Sequence, residues 1–248
     1  MANSEEKSLI QQNMKTRLTE QPAAQSGIFK IGGDTPIHRL GFGAMRLTGN
    51  GVWGEPENPA ECIAVLRRAV DLGINFIDTA DSYGPFVSER LIAQALHPYP
   101  KGVVIATKAG LQRSGPDQWE PDGRPEYLRE RCEGSLHRLK LDRIELFQLH
   151  RIDAKVPLED QIGILITLQN EGKIRHIGLS EVNVDQIKAV QRLTRIASSI
   201  VSQANAFEMT TLWHARIENR PLPSLRWNLW ILVYRPCRFG FATMTPSE

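Results

Sequence analysis

The chain has 248 residues, 41% hydrophobic and 23% charged, which suits one large domain with a sizeable buried core. Its formal net charge of +2, without a long basic run, points away from nucleic-acid and anionic-membrane partners. No apolar stretch approaches the roughly 18 residues of a membrane-spanning helix. Cys62, Cys132 and Cys237 lie far apart and outside any metal-ligand spacing, so they read as reduced thiols of a cytoplasmic protein. The start of the chain is polar and lacks the apolar core of a secretory signal.

Residues 1–26 are rich in Gln, Glu, Lys and Ser with no sustained period, and read as a disordered tail. Ile28–Ile31 and Pro36–Leu40 flank Gly32-Gly33-Asp34, a hairpin signal suited to plugging the bottom of a barrel. Leu40–Met45 reads as a first buried strand, with Gly41 and Gly43 where a backbone or ligand comes close. Asn58 and Pro59 then supply a cap and a first helical residue, Cys62, Ile63, Leu66, Ala69 and Val70 form an apolar stripe, and Gly73 stops it.

From there strands and helices alternate. A strand runs from Ile74 to Asp78, a helix opens at Ser88, and Val103–Thr107 ends at Lys108. A third helix starts near Pro125, and Leu146–Leu149 ends at His150. Leu158–Glu171 is a fourth helix, and Ile174–Leu179 ends at Ser180. Asn183 to about Leu193 gives a fifth helix, and Ile200–Ser202 a sixth strand near Gln203. Repeated strand–helix units predict a parallel sheet. An open doubly wound sheet would want a Gly-rich phosphate loop opening a helix after its first strand, and Gly41-Phe42-Gly43 lacks the third glycine. The fold class expected is therefore α/β, a (β/α)8 barrel of which about six of eight strands are recognisable, with an N-terminal β-hairpin.

In a barrel the carboxyl ends of the strands converge on one face. Asp78, Lys108, His150, Ser180 and Gln203 end successive runs, and Tyr83 stands in the loop after Asp78. Singly, each has a plain structural reading: a helix cap, a solvated lysine, a satisfied core histidine. Together they describe a chemistry. A tyrosine with an ordinary pKa of about 10 gives up its proton more readily when a cation stabilises its anion. A carboxylate keeps that cation charged and oriented, and a neutral histidine polarises a carbonyl oxygen. No side chain donates a hydride, so a reduced nicotinamide is implied. No His pair or carboxylate/His cluster on strand ends suggests a metal-dependent hydrolase.

At these residues the sequence resembles the aldo-keto reductase family. The block from Gly73 through Asp78-Thr79-Ala80 to Tyr83-Gly84 is similar to its most diagnostic motif. Ala106-Thr107-Lys108, Leu149–Asp153 and Ile177–Ser180 match later blocks in order. The resemblance implies an NADP-dependent oxidoreductase acting on a small-molecule carbonyl substrate. Tyr83 would be the general acid, Asp78 and Lys108 would tune it, and His150 would orient the carbonyl. Asp78, Ser180 and Gln203 would contact the nicotinamide end, which Gly43, Ala44 and Met45 would approach. Trp119, in the loop Leu111–Asp122, would be an apolar substrate wall. The pattern carries no signal for the oligomeric state.

Glu181 follows Ser180 where the family usually has asparagine, and Gln203 is separated from Asn205 by Ala204. The likeness is read over about 27–210; residues 211–248 change character, with Trp213, Trp227 and Trp230 crowded together and Pro221, Pro223 and Pro236 interrupting any long helix. A truncated reductase with an altered tail is the expectation, or else a variant end closing the barrel differently. The uncharged run Trp227–Tyr234 is β-prone and suited to pairing with a sheet edge. Two further readings stay open: an inactive fragment, and a nicotinamide-sensing regulatory subunit on the same scaffold.

Overall fold

The computed structural model describes residues 21–201 and 231–233. Six parallel strands curl into a half-barrel: β3 (Leu40–Gly43), β4 (Phe76–Asp78), β5 (Val104–Ala109), β8 (Ile144–Leu149), β9 (Ile174–Val182) and β10 (Ser198–Val201). Their spatial order is sequential, and β11 (Ile231–Val233) adds to the β3 edge. β11 runs antiparallel, with Leu232 opposite Gly41. The β-prone run of the tail thus contributes backbone pairing to a sheet edge, which satisfies donors and acceptors that edge would otherwise expose.

Five helices carry the crossovers: α1 (Pro59–Asp71), α2 (Val87–Leu96), α3 (Pro125–Leu139), α4 (Leu158–Asn170) and α5 (Val184–Gln191). Local chemistry sets their ends. The Asn58 side chain accepts from the Glu61 amide with Pro59 at the first position, and Asn183 forms a reciprocal capping box with Gln186. The apolar stripe Cys62, Leu66 and Ala69 packs with Phe42, Ile77 and Ile105, while Leu128, Cys132, Ile162, Leu165 and Ile187 pack with Phe147, Leu149, Ile177 and Leu179. All these strand residues point outward. Helices therefore cover one face of the sheet, as in a barrel; a doubly wound sheet would have helices on both.

The inward residues alternate with them. At the amino end of the strands Phe76, Val104, Ala106 and Leu146 meet Ile31 and Ile37 of the hairpin formed by β1 (Ile28–Ile31) and β2 (Thr35–His38). Its turn is pinned to β9, because Asp34 accepts hydrogen bonds from Arg175 (2.8 Å) and lies 2.8 Å from His176 Nε2. The expected bottom plug is present.

Several boundaries differ from the sequence reading. Pro22–Ser26, assigned to the tail, form a 3-10 turn; Ala23 is buried and its amide donates to Leu72 O at 3.0 Å. The buried Ala23, together with the Leu40 amide donating to Ser26 Oγ at 3.0 Å, seats this polar segment. The first strand stops at Gly43, and Ala44–Leu47 form a second 3-10 turn. The sixth strand is Ser198–Val201, starting two residues earlier than expected; Ser202, Gln203 and all but three residues of the 211–248 segment lie outside the described residues. A small hairpin of β6 (Leu111–Gln112) and β7 (Glu120–Pro121) was not signalled by composition. No helix among the described residues is long and apolar enough to cross a membrane.

Candidate active site

Strand alternation builds the site. Asp78, Lys108, Gln148, His150 and Ser180 lie at inward positions at the carboxyl ends of four strands, and all are buried. Gly43 stands opposite Asp78 in register, while Lys108 stands opposite Gln148. Asp78 pairs in register with Ala106, so Lys108 is one inward position further along and reaches back.

Lys108 Nζ donates to Asp78 Oδ1 at 2.5 Å and to Thr79 O at 2.8 Å, and lies 3.4 Å from the Tyr83 hydroxyl. Gln148 Nε2 donates to Asp78 Oδ2 at 3.1 Å, holding the carboxylate from its other side. Gly178 makes room for Gln148: a Cβ there would lie 2.8 Å from Gln148 Cγ. Gln148 went unremarked in the sequence, although its place two residues before His150 puts it on the same face.

Tyr83 and His150 meet edge-on, ring centroids 5.7 Å apart, and Trp119 stands edge-on to both at 6.4 Å. Ser82 Oγ lies 3.2 Å from His150 Nδ1, a contact the sequence did not signal. Burial holds the His150 pKa well below its ordinary value, and the cations of Lys108, Arg151 and Arg113 act the same way, so the ring is neutral. Burial likewise raises the Tyr83 pKa; Lys108 opposes this without overcoming it. The expected lowering is therefore reversed in sign, because desolvating a phenolate costs more than one cation already paired with Asp78 returns.

Ala44 is buried, and its carbonyl accepts from Ser88 Oγ, itself 2.8 Å from Thr79 Oγ1. Met45 and Trp119 both pack against the buried cluster of Val52, Ala80 and Tyr83, an apolar floor beside the polar cluster. Ser180 sits at the inward end of β9. Gly43, Ala44, Met45, Asp78 and Ser180 thus share the carboxyl face of the sheet, while Gln203 lies outside the described residues. The following Glu181 adopts a left-handed φ of 51°, a conformation asparagine tolerates better, and its carboxylate turns outward to pair with Arg151. Its charge still reaches Tyr83, where it adds to the upward push on the phenol's pKa.

A second buried cluster lies under the tyrosine loop and was not anticipated. Glu89 accepts from Arg138 Nε and from Thr107 Oγ1, both at 2.6 Å. Nearby Asp81 is buried, and its Oδ1 has no hydrogen-bond partner among the described residues. Burial, reinforced by Glu89 and opposed by Arg131 and Arg138, pushes the Asp81 pKa up to about 8 from 3.8. The folded chain then holds a proton that the unfolded chain has released, so stability should decline as pH rises from 3.8 towards 8. Each unit of displacement is worth about 1.4 kcal/mol. Asp81→Asn should flatten that slope, making the variant the more stable protein at the upper end of the range. Urea midpoints taken across the range test this, and parallel curves for parent and variant would refute it.

Among the described residues no group of three or more His, Cys, Asp or Glu is placed to hold a metal ion. Comparison with known proteins places the site in context. The family model for the aldo/keto reductase family matches residues 39–246, extending past Thr211, where the block-by-block likeness ends. An uncharacterised oxidoreductase of Schizosaccharomyces pombe is 53% identical over 176 residues, 71% of this chain and 57% of that protein. A probable aldo-keto reductase of Glycine max is 36% identical over 207 residues, 83% of this chain and 57% of that protein. The chain thus spans little more than half the length of these relatives. Among solved structures, a glycerol dehydrogenase from Gluconobacter oxydans superposes with a TM-score of 0.64 at 34% identity, covering 71% of this chain and 54% of that one.

Proposed function

This chain belongs to the aldo/keto reductase family, and from that premise we propose that it reduces an aldehyde or ketone to the alcohol, with NADPH as hydride donor and Tyr83 as proton donor. The convergence of the Tyr83 hydroxyl, Lys108 Nζ and Asp78 carries this reading. When bound, the dinucleotide supplies the hydride to the carbonyl carbon. The donor set suits a nicotinamide: Ser180 is a buried hydroxyl at a strand end, Gly43 brings no side chain, and Met45 and Tyr83 offer apolar surface.

The chain's own residues handle the proton. In the tautomer whose Nδ1 accepts from the Ser82 hydroxyl, 3.2 Å away, Nε2 carries the hydrogen and can donate to the carbonyl oxygen. That bond polarises the carbonyl and holds it beside Tyr83. Tyr83, its pKa raised by burial, is protonated at neutral pH and gives its hydroxyl proton to the same oxygen. Lys108, kept charged by Asp78, stabilises the negative charge left on the phenol oxygen.

A titration with NADPH, read by tryptophan quenching on a monodisperse sample and followed by an aldehyde-reduction assay, tests the proposal. Micromolar saturation with turnover supports it; no quenching would refute it. The depressed His150 pKa further predicts that the rate of reduction neither rises nor falls through pH 6.5, the ordinary titration point of histidine. An inflection there that disappears in His150→Gln would mean the ring works as a cation.

A further inference from the structure

We propose that Arg113 is a positioning residue that presets the substrate wall, holding Trp119 against the Tyr83–His150 pair so that the site favours uncharged carbonyl compounds with a compact apolar substituent. The inference rests on the reductase reading and adds a specificity device to it. Arg113 follows β6 in the short loop that leads to Trp119. A guanidinium has five N–H donors in a fixed fork, and here each is spent on a backbone carbonyl. Nε donates to Gln118 O at 2.7 Å, Nη1 to Val52 O and Ser82 O at 2.9 Å, and Nη2 to Gly51 O at 2.9 Å and Gly115 O at 3.2 Å. Three segments are tied by one side chain: the turn at 50–52, the loop that presents Tyr83, and Arg113's own loop. The flat face of the same group lies 3.6 Å from the Trp119 ring centroid.

Two independent features support a preset wall rather than a loop that closes over substrate. Gly51 has a φ of 67°, and a Cβ there would come within 2.7 Å of Pro116 Cβ, so the two loops are in backbone contact. Gly54 N donates to Gly84 O at 2.8 Å and Gly84 N to Val52 O at 3.2 Å, joining the first loop to the tyrosine turn. With every donor occupied, Arg113 has no N–H left for a substrate carboxylate. It acts through the shape it imposes on Met45, Val52, Ala80 and Trp119, the apolar cluster around Tyr83.

Arg113→Lys keeps the charge but can neither span five carbonyls nor present a flat face, so it should fail to rescue. In Arg113→Lys and Arg113→Met, the ratio of kcat/KM for a compact aliphatic aldehyde over a bulky aromatic one should move towards the bulky substrate by about tenfold or more. A readout free of turnover accompanies it. Acrylamide quenching assigned to Trp119, taken as the difference from the matching Trp119→Phe protein, should rise about threefold once the stacked cover is gone. An unchanged substrate ratio with unchanged Trp119 quenching would overturn the proposal, as would full recovery of both in Arg113→Lys. If the parent protein shows no turnover at all, the reductase reading fails while the quenching comparison still decides whether Arg113 holds Trp119. Should Arg113→Met not fold, the lysine variant carries both measurements.

Discussion

Tyr83→Phe should lower carbonyl reduction by about 10²–10⁴-fold, the usual contribution of a positioned proton donor, while leaving NADPH binding nearly unchanged. The substitution removes one oxygen and keeps the ring. That ring is buried and meets His150 and Trp119 edge-on, so the packing that shapes the site survives. Lys108 loses the 3.4 Å approach to the hydroxyl and keeps Asp78 and Thr79 O. Single-turnover rates with saturating NADPH, alongside the fluorescence titration, measure the two properties separately. Loss of binding together with turnover would mean that Tyr83 is structural, and turnover within tenfold of the parent would remove it from the proton-donor role.

Lys108→Met should be costly in a different way. It leaves the Asp78 carboxylate buried with Gln148 as its side-chain donor among the described residues. Breaking one half of a buried ion pair typically costs about 3–5 kcal/mol, because the remaining charge has lost its compensation. We expect an unfolding free energy from urea titration lower by that amount, together with loss of reduction. Adding Asp78→Asn should restore much of the stability, since a neutral amide no longer needs the cation, while turnover stays lost. A single variant as stable as the parent would show that the pair contributes nothing to the fold; a double variant that recovers turnover would show that the pair is dispensable for chemistry.

The strand–helix alternation was legible in the chain alone, because apolar stripes at helical spacing and short apolar runs are local patterns. Capping residues such as Asn58 and Asn183 marked helix starts for the same reason. The strand ends proposed to carry the chemistry were marked the same way: Asp78, Lys108, His150 and Ser180 each stand where an apolar run stops, and a barrel brings such ends to one face. The rest depends on contacts between distant segments, which no local pattern encodes. Gln148 became a partner of Asp78 through the register of β5 and β8, and Ser82 a partner of His150 through the curl of the sheet. Arg113 looks in sequence like any loop arginine; its five carbonyl partners come from three segments. The sign of the Tyr83 shift is of the same kind. A tyrosine near a lysine suggests a lowered pKa, but burial is a property of the folded whole, and here it outweighs the neighbouring charge.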